Sequence, residues 1–138
     1  GHSAVHSVAP TETMLTVLQR MSSHGIGALL VMDGERIAGI VTERDYARKV
    51  VLQGRSSSTT QVQDVMTEQV HCVLPRQTTG ECMALMTDKR IRHLPVVDDE
   101  HRVLGMVSIG DLVKEIISEQ QFTIQQLEHY ITGSAHAK

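Results

Sequence analysis

Aromatic residues are nearly missing from this chain, which holds one Phe, two Tyr and no Trp among its 138 residues. Base-stacking platforms of the kind that grip single-stranded nucleic acid are therefore not expected. An excess of positive charge is missing too. Thirteen Lys and Arg are interspersed with sixteen Asp and Glu for a net charge of -3, which leaves no basic stripe for a phosphate backbone. No nucleic-acid partner is expected. Cysteine is limited to Cys72 and Cys82, too few and too widely spaced for a disulfide framework or a metal motif, and both read as reduced, buried thiols. No apolar run approaches the roughly 20 residues that span a bilayer, so no membrane partner is expected. The amino end, GHSAVHSV, lacks a charged-then-apolar leader pattern, and the cytoplasm is the expected location.

What the chain does have is aliphatic. A hydrophobic content of 41% in this length suits one compact module whose interior is built from Val, Ile, Leu, Met and Ala. Of the seven Met, Met14, Met21, Met83 and Met86 fall on helix faces and are expected to fill an aromatic-poor core.

The chain also repeats itself. An offset of 65 lays Val5–Pro10 (VHSVAP) on Val70–Pro75 (VHCVLP), Met21 on Met86, Ile26 on Ile91, Leu29 on Leu94 and Asp33 on Asp98. One extra residue in the second turn then brings Gly39 onto Gly105, Thr42 onto Ser108 and Asp45 onto Asp111. Self-similarity of this kind marks two copies of one supersecondary unit.

In the first copy, Met14, Leu15, Leu18 and Met21 share a helix face after an expected cap at Thr11. ALLVMDGERIAGIVT reads as two strands around an Asp-Gly turn, and ERDYARKVVLQG as a helix ending at Gly54. The second copy repeats the order with a helix over 79–89, strands over 93–97 and 102–107, and a helix over 111–119. The boundaries expected are 1–54 for the first motif, 55–63 for a polar, mobile linker, 64–121 for the second motif, and 122–138 for a further amphipathic helix and tail. That last helix carries Phe122, Ile124, Leu127, Tyr130 and Ile131 and is expected to stop at Gly133. It reads either as a cap on the core or as a dimer contact.

Each copy places a hydroxyl at the end of a strand and an acid three residues later: Thr42 with Asp45, Ser108 with Asp111. Such a pair can cap the following helix. It can also serve a ligand, because helix N-terminal N–H groups favour an anion and a carboxylate turned outward can accept from both hydroxyls of a ribose. Ile26, Ile40, Ile91 and Met106 are apolar candidates for the walls around a flat purine.

The helix, hairpin, helix order, together with LPVVD at Leu94–Asp98, DVMT at Asp64–Thr67 and the two motifs GIVTERD and GMVSIGD, resembles a tandem CBS-domain pair, also called a Bateman module, of the small stand-alone bacterial kind. The resemblance implies an α/β (α+β) fold: two repeated β-α-β-β-α units packed with pseudo-twofold symmetry, plus a C-terminal helix. It implies clefts between the motifs that bind AMP, ADP, ATP, NAD(H) or S-adenosylmethionine. Carried onto this sequence, Asp45 and Asp111 would hold ribose, and Thr42 and Ser108 would meet phosphate. The first site would also use residues 66–71, including Met66 and His71, with Ile91 and Arg92; the second would use residues 4–6, including His6, with Ile26. His93, beside Arg92, is a further candidate. Arg44 within the first motif and Arg48 and Lys49 after it, with Arg92, suggest that the first site holds the stronger phosphate-bearing ligand.

The eight His show no metal-ligand spacing, and no nucleophile, base and orienting group come together in the sequence. Neither a metal, a catalytic cofactor nor an enzyme activity is expected. Two functions from different classes follow. One is a sensor that binds an adenine nucleotide, shifts conformation or assembly, and works as a homodimer. The alternative is a dimerisation or protein-docking module with vestigial clefts and an unknown protein partner.

Overall fold

The computed structural model describes residues 5–136, with side chains to Ile131. Its elements run β1 (Ser7–Val8), α1 (Met14–His24), β2 (Ala28–Asp33), β3 (Arg36–Thr42), α2 (Glu43–Tyr46), α3 (Thr79–Lys89), β4 (His93–Val97), β5 (Val103–Ser108) and α4 (Ile109–His136). This is the α+β architecture of two repeated units, with two small sheets. In one, β2 is central, parallel to β1 and antiparallel to β3. In the other, β4 pairs with β5.

The duplication is visible bond by bond. Val8 pairs with Val31 in parallel and Val73 with Val96 in parallel. The Ile26 N–H donates to the Met21 carbonyl and the Ile91 N–H to the Met86 carbonyl, each at 3.0 Å. Thr13 caps α1 and Thr78 caps α3 through their side chains. Both helices end on a left-handed residue, Gly25 at φ 61° and Arg90 at φ 55°.

Four expectations need correction. The cap of α1 is Thr13, whose hydroxyl accepts from the Thr16 N–H, and not Thr11; Glu12 is turned instead to Arg20 at 3.1 Å. The segment after the first motif begins as α2 but widens into a π-helical turn over Ala47–Val51, with the Leu52 N–H donating to the Ala47 carbonyl. The last helix of the second copy and the expected C-terminal helix are one continuous α4 that starts at Ile109 and runs through Gly133 to His136. A glycine costs a helix interior only about 1 kcal/mol, so it need not stop one. Finally, the Ser-rich linker is bound to the start of α1. Met14 and Leu15, whose N–H groups have no partner within the helix, donate to the Thr60 and Ser57 carbonyls, and the Thr60 hydroxyl donates to the Ser56 carbonyl at 2.7 Å.

The chain forms two compact units, one running to Pro75 and including Pro95–Met106, the other made of Arg76–Leu94 and the chain from Val107 onward. The first has a core of Val8, Met14, Val17, Met21, Leu29, Val31, Val41, Val50, Val62 and Val65. Each such side chain contributes about 1.5–3 kcal/mol by leaving water. Met86 is also buried and Met83 half-buried, so core packing holds for Met14, Met21 and Met86 and only in part for Met83. In the second unit α4 packs on α3 and buries Leu112. No helix of the described residues is long and apolar enough to cross a membrane.

Candidate functional site

The two strand-to-helix junctions are built alike and used differently. At the first, β3 ends on Thr42, whose extended backbone turns the chain into α2. The Asp45 N–H donates to Thr42 Oγ1 at 3.2 Å, and the Thr42 N–H donates to Asp45 Oδ2 at 3.0 Å, a reciprocal capping box. The Thr42 hydroxyl adds a bond to the same oxygen at 3.2 Å. Asp45 Oδ1 is engaged as well: Thr67 Oγ1 donates to it at 3.3 Å, and Lys49 Nζ lies 3.1 Å away. Asp45 is 8% exposed. Its carboxylate is turned into the unit, with an internal partner on each oxygen.

Thr67 reaches Asp45 because its backbone extends the sheet. The Ile40 and Thr67 main chains exchange bonds of 2.9 and 2.8 Å. Gly39 makes room for this segment, since a Cβ there would stand 2.7 Å from Met66 Sδ and 2.8 Å from the Thr67 carbonyl oxygen.

At the second junction the Asp111 N–H donates to Ser108 Oγ at 3.2 Å and the Ser108 N–H to Asp111 Oδ2 at 2.9 Å. The capping has the same geometry, but among the described residues nothing takes the places of Lys49 and Thr67. Asp111 is exposed, and its Oδ1 makes no hydrogen bond to any described residue. The junction opens α4, a 28-residue helix, so the positive end of its dipole falls here. Its Ile109 N–H donates to the Arg92 carbonyl at 2.8 Å, which brings the Ile91–Arg92 backbone to this junction. Arg92 is exposed and Ile91 half-buried.

The other candidates divide by unit. Ile26, Ile40, Arg44, Met66, His6, His71 and Met106 are in the first; His93 joins Ile91 and Arg92 in the second. Of the apolar wall candidates, Ile26 and Ile91 stand half-buried just before β2 and β4, while Ile40 and Met106 are half-buried strand residues. The His6 ring stacks on His24 at 3.8 Å. His24 aligns with Lys89, so the repeat-equivalent His71 has no such partner by descent. Ala4 lies outside the described residues. Arg44 and Arg48 are exposed on α2 and the turn that follows. Lys49, counted in the sequence among the cations of the first site, pairs with Asp45 instead; its spacing of four from Asp45 on a helix is the signal for such a pair. Among the described residues no three His, Cys, Asp or Glu gather as a metal site. Burial pushes the Cys72 and Cys82 thiols up from their ordinary pKa, with Glu81 and Glu115 adding to the effect at Cys82.

The CBS-domain family model matches residues 2–52 and 62–118. This chain belongs to the CBS-domain family. It is 44% identical over 88% of its length to the CBS domain-containing protein CBSX3, mitochondrial, of Arabidopsis thaliana, of which it spans 61%. Among solved structures, a CBS-domain protein from Burkholderia ambifaria MC40-6 is 56% identical and superposes with a TM-score of 0.82, covering 88% of each chain. The CBS-domain pair of protein MJ0100, crystallised with 5'-methylthioadenosine and S-adenosyl-L-methionine, shares the fold at 23% identity and a TM-score of 0.75, covering 86% of this chain and 93% of that one.

Proposed function

We propose that this CBS pair is a non-catalytic regulatory module that binds an adenosine-containing ligand, and that the Ser108–Asp111 junction is its principal contact. The observation that carries the reading is the exposed Asp111 carboxylate, with one oxygen capping Ser108 and the other free of described partners. That oxygen is suited to accept from a ribose diol while the start of α4 and the Arg92 guanidinium meet phosphate or another anionic group. The fold's capacity for adenosine compounds is supported by the MJ0100 complex. AMP, ADP, ATP, NAD(H) and S-adenosylmethionine are the ligands to test. Binding then acts by favouring one arrangement or assembly of the chain over another.

Thr42 and Asp45 occupy the equivalent place in the first repeat, but Asp45 must first give up Lys49 and Thr67 before it can take a ribose. The ligand preference therefore shifts from the first junction, favoured by its count of cations, to the second.

Thermal-shift measurements of the purified chain with each of these compounds and with 5'-methylthioadenosine test the reading. A ligand at about 100 times its dissociation constant adds about 2.7 kcal/mol to the folded state. The expected result is a shift for at least one adenosine compound that Asp111→Ala removes. No shift with any of them would overturn the sensor in favour of a docking module.

A further inference from the structure

The outer face of α4 carries a second kind of information, independent of what the junctions bind. Leu112 is buried and Ile116 half-buried, but from Ile117 to Ile131 every residue of the helix is exposed. A helix held out in water by propensity alone is marginal, since most helical stability in proteins comes from packing an apolar face. This one has such a face. Val113, Ile117, Ile124, Leu127 and Ile131 are 41, 48, 53, 57 and 65% exposed, and with Gln120 they alternate at spacings of four and three. That is a narrow coiled-coil seam and not the broad stripe of a helix lying on a globular core.

Ile117, Ile124 and Ile131 fall on one set of seam positions and Val113, Gln120 and Leu127 on the other, so the seam is aliphatic except at Gln120.

We infer that the seam is covered by α4 of a second copy of this chain, in a two-stranded antiparallel pair. The direction follows from charge. Lys114 and Glu128 flank the seam at equivalent positions, one near each end. An antiparallel pair sets that flank of one helix against the same flank of the other, so Lys114 meets the partner's Glu128 and the reverse contact repeats by symmetry. The same register sets Val113 on the partner's Ile131 and Ile117 on the partner's Leu127, with Gln120 beside the partner's Ile124. A parallel pair would set Lys114 and Glu128 beside the partner's Ile109 and the partner's Thr123, with no opposite charge for either. Phe122 points to the other face and takes no part.

Sedimentation velocity of the full chain tests this. Wild type should have twice the mass of Ile124→Asp and Leu127→Asp, whose dissociation constants should rise about a hundredfold or more from charges placed on the seam. Phe122→Asp should keep the wild-type mass, and because all these positions are exposed, unfolding midpoints in urea report whether the rest of the chain still folds. Lys114→Glu and Glu128→Lys should each weaken association about fivefold, and the double variant should restore it. Equal mass for wild type and both seam variants would overturn the pairing. Seam variants that dissociate without rescue by the charge swap would overturn the antiparallel direction.

Discussion

Lys49 Nζ lies 3.1 Å from Asp45 Oδ1 and 2.9 Å from the Val65 carbonyl oxygen, so one ammonium group joins the start of α2 to the segment leading toward the second repeat. The acid that the motif offers to a ribose is here part of the chain's own bonding. Asp45→Ala should therefore act mainly on stability. It removes the acceptor of the Thr42 N–H and the partner of Lys49, at a cost of about 1–3 kcal/mol in urea unfolding. The Lys49 side chain is 44% exposed, so the ion pair itself supplies a minor part. Ligand-induced shifts should survive; their loss with stability unchanged would assign the ribose to Asp45.

The opposite pattern is expected at the second junction. Asp111→Ala should lower stability by no more than about 1 kcal/mol, the worth of a helix cap, while abolishing the thermal shift with an adenosine compound. Titration calorimetry of the two alanine variants side by side separates the roles.

Gly39→Ala places a methyl group against the Thr67 carbonyl oxygen and Met66 Sδ. The backbone oxygen is held by the Ile40 pairing and cannot swing aside. A loss of about 1–3 kcal/mol is expected from this overpacking, measured by chemical denaturation; an unchanged midpoint would mean that the 66–67 segment is free to withdraw.

The left-handed end of α3 is occupied by Arg90, where the first copy has Gly25. Arg90→Gly should stabilise the chain by about 0.5–1 kcal/mol, since a side chain in that conformation carries a steric penalty that glycine lacks. Gly25→Ala should cost a similar amount. Thermal midpoints moving in opposite directions would confirm the pair.

Asp98 organises the second hairpin, accepting from the Glu100 and Arg102 N–H groups at 2.9 and 2.8 Å and from the Arg102 guanidinium at 2.9 Å. The backbone bond from Arg102 leads in holding its carboxyl below the usual pKa of 3.8. A depressed folded-state value means that the stabilisation is present above the unfolded pKa and is lost as pH falls through the folded one. Unfolding curves below pH 4 should thus be less steep in pH for Asp98→Asn than for wild type.

Much of the fold was legible because the chain states it twice. The expected bounds of α3 and β4 coincide with those observed, since Met83, Met86, Leu94 and Val96 had apolar counterparts 65 residues away in Leu18, Met21, Leu29 and Val31 to confirm the period. The errors fall where only one copy speaks or where a local signal had a rival. Thr11 and Thr13 are both capping residues, and only the tertiary bonds of the 56–63 segment decide between them. Gly133 looked like a stop, although a glycine terminates a helix only when its own conformation turns left-handed. At the junctions the hydroxyl and acid were identified from sequence, but their two different states were not. Distinguishing Asp45 from Asp111 depended on Thr67, 22 residues away along the chain, and long-range partners leave no periodic trace.

The bonds between the 56–60 stretch and the start of α1 bear on how this molecule can be divided. Cutting at Gly54 would leave Met14 and Leu15 without the carbonyls that receive them and would strip Val62 from the first core, while the segment most like a protease-sensitive tether carries a Thr60 that is only 8% exposed. Limited proteolysis should accordingly spare the serine cluster, and a fragment ending there should be poorly ordered. The stretch copied by duplication and the body that folds are then different pieces of this chain, because the folding body borrows its closing strap from the start of the next copy.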